Sequence, residues 1–243
     1  MKIYAANIEA FEKMQEEELV KWMELIDSAR RKRMEELRQK KDRIQSLVAG
    51  LLLRYSFLEK GYTQRQWKEI QIQHKASGKP WLEQYPEFCY SLSHSGKWVV
   101  CGVHSKELGI DIQEMRSWNI GVAKRFFAIE EYERILNAEE SEKTILFYKM
   151  WTAKESYAKL TGDGIGKGIN QCLTNQQFDR IIDTNLQEEA ESRIFEVLQE
   201  YMICACARDL ECISVNENLI AKQLEMDFNI VTMNELNSCE DFK

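Results

Sequence analysis

Asp111 stands in the run Leu108-Gly-Ile-Asp-Ile-Gln-Glu114, where apolar and polar residues alternate. Strand side chains point to opposite faces in turn, so Asp111 and Gln113 share one face. Further along, Glu155 and Lys159 are four apart in Met150-Trp-Thr-Ala-Lys-Glu-Ser-Tyr-Ala-Lys159. On a helix that spacing places them one turn apart on the same side. Oxygen ligands from a strand and a helix, with a lysine beside them, would suit a magnesium ion holding phosphate oxygens. Each half also has a plainer reading. A buried Asp111 flanked by Ile110 and Ile112 needs a cation or strong hydrogen bonds, and the second is a structural role. Glu155 and Lys159 fit an ordinary exposed helix pair of small energetic consequence.

The elements that must position these residues are marked by periodicity. With Trp151 as origin on a helical wheel, an apolar arc runs through Ala158, Phe147, Met150, Tyr157, Leu146 and Ala153. Glu155 and Lys159 fall just past the other edge of Trp151, so they border the packed face as cleft-lining side chains do. This helix is expected to begin near Thr144. Residues 2–6 read as a first strand, and 8–26 as one or two amphipathic helices. The stretch 44–58 is apolar on nearly every side, which predicts a buried central helix ending near Gly61. Strands are expected at 88–93 and 98–103 around a Ser95-Gly96 turn, and at 194–198 and 201–207, with a last one at 228–232. Residues 122–136 read as helical. Lys97-Trp-Val-Val-Cys101-Gly parallels Glu200-Tyr-Met-Ile-Cys204-Ala, and the same offset carries Gly61 onto Gly164, a hint of two similar α+β lobes.

At 243 residues and 44% hydrophobic, the chain can bury a substantial core. No apolar run approaches the length of a spanning helix, and the start acquires acidic residues too quickly for a signal peptide, so a cytoplasmic protein without membrane contact is expected. Seven cysteines without Cys-x-x-Cys spacing point to reduced thiols packed as small hydrophobes. The net charge of −7 opposes nucleic-acid binding, although Arg30 to Arg43 holds eight basic residues against three acidic ones. That run reads either as a solvated helix face or as an anion contact.

Four stations in sequence order carry a more specific signal: Gly78-Lys79-Pro80, Ser91-Leu92-Ser93-His94-Ser95-Gly96, Gly109-Ile110-Asp111-Ile112 and Trp151-Thr-Ala-Lys-Glu155-Ser-Tyr-Ala-Lys159. With the tail Gly162-Asp-Gly164-Ile-Gly-Lys-Gly168, the set resembles the 4'-phosphopantetheinyl transferases of the two-lobed Sfp type. The resemblance implies an α+β fold of two similar lobes in pseudo-twofold relation, each a small antiparallel sheet packed on helices, with the active site between them. It implies an N-terminal lobe, 1–105, for coenzyme A contacts and a C-terminal lobe, 106–243, for metal and catalysis. The implied activity is that of a holo-[carrier protein] synthase. Phosphopantetheine passes from coenzyme A to a serine of an apo acyl- or peptidyl-carrier protein, with Mg2+, releasing adenosine 3',5'-bisphosphate.

Carried over by position, Asp111 and Glu155, with Gln113, hold magnesium. Glu155 and Lys159 are catalytic, and Arg30 and Arg33 hold the 3'-phosphate. Lys79 and Pro80 shape the nucleotide pocket, and Ser93 and His94 bond phosphate. A monomer is implied, because one chain supplies both lobes. The chain departs from the family pattern at Gln113, where many relatives carry Glu, and at Gln45-Ser46, where Arg precedes Thr or Ser. Gln113 leaves an alternative, a non-catalytic coenzyme A or carrier-protein binding module. The basic run leaves a second, a nucleic-acid binder.

Overall fold

The computed structural model describes residues 1–166, 168–196, 198 and 200–210. In chain order its elements are β1 (Lys2–Asn7), α1 (Glu9–Glu12), α2 (Glu16–Met23), α3 (Ser28–Glu36), α4 (Lys40–Glu59), α5 (Gln64–Glu69), β2 (Ile72–His74), β3 (Pro80–Leu82), β4 (Cys89–Ser95) and β5 (Trp98–His104). Then follow β6 (Leu108–Glu114), α6 (Ile120–Phe126), α7 (Ile129–Asn137), α8 (Glu140–Thr161), β7 (Cys172–Thr174), β8 (Arg180–Asp183), β9 (Glu188–Phe195) and β10 (Tyr201–Ala207). The strand expected at 228–232 lies outside the described residues.

Each half is a small antiparallel sheet packed on one long helix. In the first, β1, β5 and β4 lie in that order, and α4 buries Leu47, Val48, Leu51 and Leu52 in the adjoining core. In the second, the order is β6-β10-β9-β8-β7. Every residue of β10 is buried, and α8 contributes Ala153, Tyr157 and Ala158 to the same core as Cys204 and Cys206. The five cysteines of the described residues are free.

Several expected boundaries move for identifiable reasons. The 122–136 region divides into α6 and α7, because Phe127 and Ala128 are extended and buried. The Glu131 carboxylate accepts the Ala128 N–H at 3.1 Å and so caps the new helix. The helix α8 starts at Glu140, since Glu140 and Glu142 suit the positive helix N-terminus without adding apolar periodicity. The strand β9 starts at Glu188, its charged residues hiding the buried Ala190 and Ser192. The left-handed glycine ending α8 is Gly162, at φ 84°, two residues before the Gly164 suggested by the repeat.

Two constraints fix β6, one from the first half and one from its own. As an edge strand, β6 has backbone donors left over, and β4 supplies acceptors at the same period of two. The N–H groups of Ile110, Ile112 and Glu114 donate to the Oγ atoms of Ser91, Ser93 and Ser95 at 3.1, 3.3 and 2.9 Å. On the other side, α8 lies directly on β6 at Gly109. A Cβ there would stand 1.8 Å from the Ser156 carbonyl oxygen and 2.6 Å from the Leu160 nitrogen. Both contacts are backbone, so only a shift of α8 could make room. Gly109→Ala should therefore cost about 2–3 kcal/mol or more, in the range of severe overpacking, read as the midpoint shift in urea denaturation. An unchanged midpoint would mean that the helix does not lie this close.

Candidate active site

Asp111 is 2% exposed, and its carboxylate gathers three donors. Ser93 Oγ and Lys159 Nζ each donate to Oδ1 at 2.7 Å, and Gln113 Nε2 donates to Oδ2 at 2.9 Å. These bonds offset the cost of burying the charge. The strand thus sets Asp111 and Gln113 side by side, with the Gln113 amide nitrogen toward Asp111. The helix brings Lys159 to the same carboxylate. Glu155, one turn earlier, has no hydrogen-bonding partner among the described residues. Burial first, and then the negative charge of Asp111, push its carboxyl up to about 7, with Lys159 offsetting part of the shift.

Glu155 and Lys159 line a cleft of about 820 Å3 whose walls also include Arg30, Arg33, Ser46, Ser77, Gly78, Lys79, Pro80, His94, Gly162 and Gly164. Both halves of the chain therefore contribute to it. Of the basic run, α3 brings Arg30 and Arg33 to the cleft at a spacing of three, on one face. Arg30 Nε stands 3.5 Å from Asp27 Oδ2, and the Asp27 Oδ1 caps α3 by accepting the Arg30 N–H at 2.8 Å. Other members of the run serve structure instead. Lys40 donates to the carbonyls of Glu12 and Met14, and Arg43 pairs with Glu16 at 3.2 Å.

His94 lines the cleft with its side chain exposed, and desolvation followed by the nearby Lys159 ammonium pushes its pKa below the usual range. Ser93 is held by Asp111 and Ile112 rather than opening onto the cleft. At the departure site, Gln45 is buried and donates to the Gly96 carbonyl at 3.0 Å, steadying the turn after His94, while Ser46 faces the cleft. The Lys79 ammonium is buried against Glu107, Leu108 and Leu160.

Residues 107–211 match the family model for the 4'-phosphopantetheinyl transferase superfamily, and residues 13–106 match the model for the N-terminal part of 4'-phosphopantetheinyl transferase. The 4'-phosphopantetheinyl transferase psf-1 of Bacillus pumilus is 30% identical over 171 residues, which cover 70% of this chain and 72% of the relative. This chain belongs to the 4'-phosphopantetheinyl transferase family. The transferase is also 29% identical over 210 residues to 4'-phosphopantetheinyl transferase Sfp of Bacillus subtilis (strain 168), covering 85% of this chain and 92% of that relative.

The donor chemistry of the transferase fits a magnesium ion. Magnesium binds one or two carboxylates together with phosphate oxygens and waters, rather than a full protein cage. Asp111 and Glu155 are such a pair, and no group of three or more His, Cys, Asp or Glu side chains is placed for a metal among the described residues. Glu155, without a hydrogen-bonding partner among the described residues and raised in pKa by burial and then by the Asp111 charge, is the group that a cation would relieve.

Sequence reasoning missed the support behind these residues. Lys154, fully buried, donates to the Ile169 carbonyl at 2.9 Å and to the Cys172 carbonyl, and pairs with Glu131 at 2.8 Å. The other oxygen of Glu131 accepts the Thr174 N–H and hydroxyl, both at 2.8 Å. A signal existed, since Lys154 falls four residues from both Met150 and Ala158, in the middle of the apolar arc.

The Glu155 shift gives a signed prediction for the metal-free protein. A carboxyl raised from 4.5 to about 7 contributes stability that is complete below the lower value and lost as pH rises through the higher one. Relative to Glu155→Gln, the natural protein should lose on the order of 2 kcal/mol between pH 5 and pH 8, after allowance for its partial exposure. Urea denaturation of both proteins in chelator at the two pH values reads this difference. Parallel pH dependence would show that Glu155 titrates normally.

Proposed function

We propose that the cleft binds coenzyme A and passes its 4'-phosphopantetheine group to a serine of an apo acyl- or peptidyl-carrier protein, releasing adenosine 3',5'-bisphosphate. The observation carrying this reading is that Glu155 and Lys159, the latter paired with the buried Asp111 at 2.7 Å, line the same cleft as Arg30, Arg33 and His94. Membership of the transferase family supports the same reading over a binding module, since the charged groups that a module could lose are all present.

In this mechanism Asp111 and Glu155, with Gln113 beside them, hold magnesium, which when bound offsets the charge of the coenzyme A diphosphate. Arg30 and Arg33 bind the 3'-phosphate, two guanidinium forks suiting a doubly charged anion. His94 donates one ring N–H to a phosphate oxygen. The main chain around Lys79 and Pro80 shapes the nucleotide pocket. Glu155, a carboxylate once the cation is bound, accepts the proton of the carrier serine hydroxyl, directly or through one water. The serine oxygen then bonds to the β-phosphorus. The bond from that phosphorus to the bridging oxygen breaks, and adenosine 3',5'-bisphosphate leaves with the electron pair. Lys159 stabilises the negative charge gathering on the diphosphate.

The N-terminal lobe, 1–105, is read as the main source of coenzyme A contacts and the C-terminal lobe, 106–243, as the source of metal and catalytic groups. The transferase is read as a cytoplasmic monomer, with no nucleic acid or membrane as partner. Among the described residues no helix is long and apolar enough to cross a membrane.

Incubating apo-carrier protein with the transferase, coenzyme A and magnesium should add one phosphopantetheine mass to the carrier, read by mass spectrometry. Asp111→Ala should slow that gain by about 100-fold or more while the protein stays folded by circular dichroism. No mass gain on any acyl- or peptidyl-carrier would overturn the function. Near-normal transfer by Asp111→Ala at limiting magnesium would remove Asp111 from the site.

A further inference from the structure

An ammonium has three N–H donors. Those of Lys79 have three acceptors within the protein: the Glu107 carboxylate, the Leu108 carbonyl at 3.0 Å and the Leu160 carbonyl at 2.9 Å. The side chain is only 8% exposed although it borders the cleft. Its partners come from two distant pieces of chain. Glu107 precedes β6 and Leu108 opens it, and Leu160 lies in the last turn of α8, where carbonyls lack intrahelical partners and a cation meets the negative helix end.

Lys79 itself closes the turn between β2 and β3, where Lys75 donates its N–H to the Lys79 carbonyl at 2.9 Å. Glu107 also pairs with Lys75, so one carboxylate holds both lysines of the turn. The turn and the helix end nearly touch. A Cβ on Gly162 would stand 2.3 Å from Ser77 Oγ. Ser77, Gly78 and Pro80 form one wall of the cleft, while Ala158, Lys159 and Gly162 form another.

We propose that Lys79, with Glu107, is a positioning residue that straps these two walls together, its charge serving the protein rather than a ligand phosphate. The functional consequence rests on the reading of the cleft as a coenzyme A site. The strap and a phosphate-binding Lys79 predict opposite signs for one substitution. Glu107→Gln weakens the strap and so loosens the pocket, whereas it would free a phosphate-binding ammonium and tighten the ligand.

The test uses the full chain with Glu107→Gln and Lys79→Met. Without ligand, hydrogen exchange should quicken at residues 77–79 and 160–162 together, and stay unchanged along the β1–β5 pair. By calorimetry, Glu107→Gln should weaken coenzyme A about 3-fold, as for a partly exposed ion pair, with KM rising and kcat held. Lys79→Met should weaken it about 10-fold or more, as for a lost charged hydrogen bond. Both should weaken 3'-dephospho-coenzyme A by the same factor, whereas the Arg30→Ala, Arg33→Ala double variant should change the ratio between the two ligands. Tighter coenzyme A in Glu107→Gln, a changed ligand ratio in Lys79→Met, or exchange unchanged at either wall would overturn the strap. If Lys79→Met fails to fold, Glu107→Gln still decides. If the natural protein binds neither ligand while exchange responds as described, the coenzyme A reading falls and the strap stands.

Discussion

Glycine at 109 lets α8 lie on β6 with the Ser156 carbonyl where a Cβ would otherwise be, and the charged site follows from that contact. Asp111 is two residues further along the strand, and Lys159 is one turn beyond Ser156 on the helix. At this separation a lysine ammonium and an aspartate carboxylate meet at 2.7 Å with no intervening layer of side chains. The same closeness sets Glu155 near the Asp111 charge and away from hydrogen-bond donors. Its raised pKa is thus a consequence of packing, since two carboxylates share a partly desolvated corner with one lysine between them.

The seam between the lobes is not a continuous sheet: an apolar cluster of Ala5 and Val100 with Ile110, Ile112, Ile203 and Ala205 is joined by polar groups. Three serine hydroxyls from β4 satisfy three backbone donors of β6, and the middle one, Ser93, also donates to Asp111. The strand that carries the aspartate is therefore registered against the first lobe by the same residues that hold the carboxylate. Charge is partitioned in a similar way. The chain carries a net −7, yet the cleft gathers Arg30, Arg33, Lys79 and Lys159 against Asp42 and Glu155. An acidic exterior around a locally basic cleft suits a small anionic ligand better than a nucleic acid.

The sequence made the long elements legible, and with them the strand and helix that bring Asp111 and Lys159 together. Residues 44–58 are apolar around the whole helix because α4 is buried on nearly every side, and the alternation around Asp111 follows from a strand whose polar face meets Ser93 and Lys159. What stayed hidden depends on pairs distant in the chain. Nothing local distinguishes Ser91 and Ser95 from surface serines until β6 lies beside them. Lys154 was visible as a charge on an apolar arc, but its partners Glu131 and Ile169 are set by tertiary packing. In the run from Arg30 to Arg43, composition marked a basic region and the family pattern pointed to Arg30 and Arg33, but that both reach the cleft depends on the helix phase of α3. Short strands such as β7 and β8 carry too few residues for a period of two to register.

The central claim is that Asp111 and Glu155 share one cation, with Glu155 giving up its proton as the ion binds. The direct measurement is the affinity of the protein for magnesium from pH 5.5 to 8.5 in the presence of 3'-dephospho-coenzyme A, whose diphosphate stays ionised across that range. Magnesium binding should strengthen by about 10-fold per pH unit well below the Glu155 pKa of about 7 and level off above it, because a ligand carboxylate must be deprotonated. An affinity that is flat over the whole range would contradict a shared site at Asp111 and Glu155.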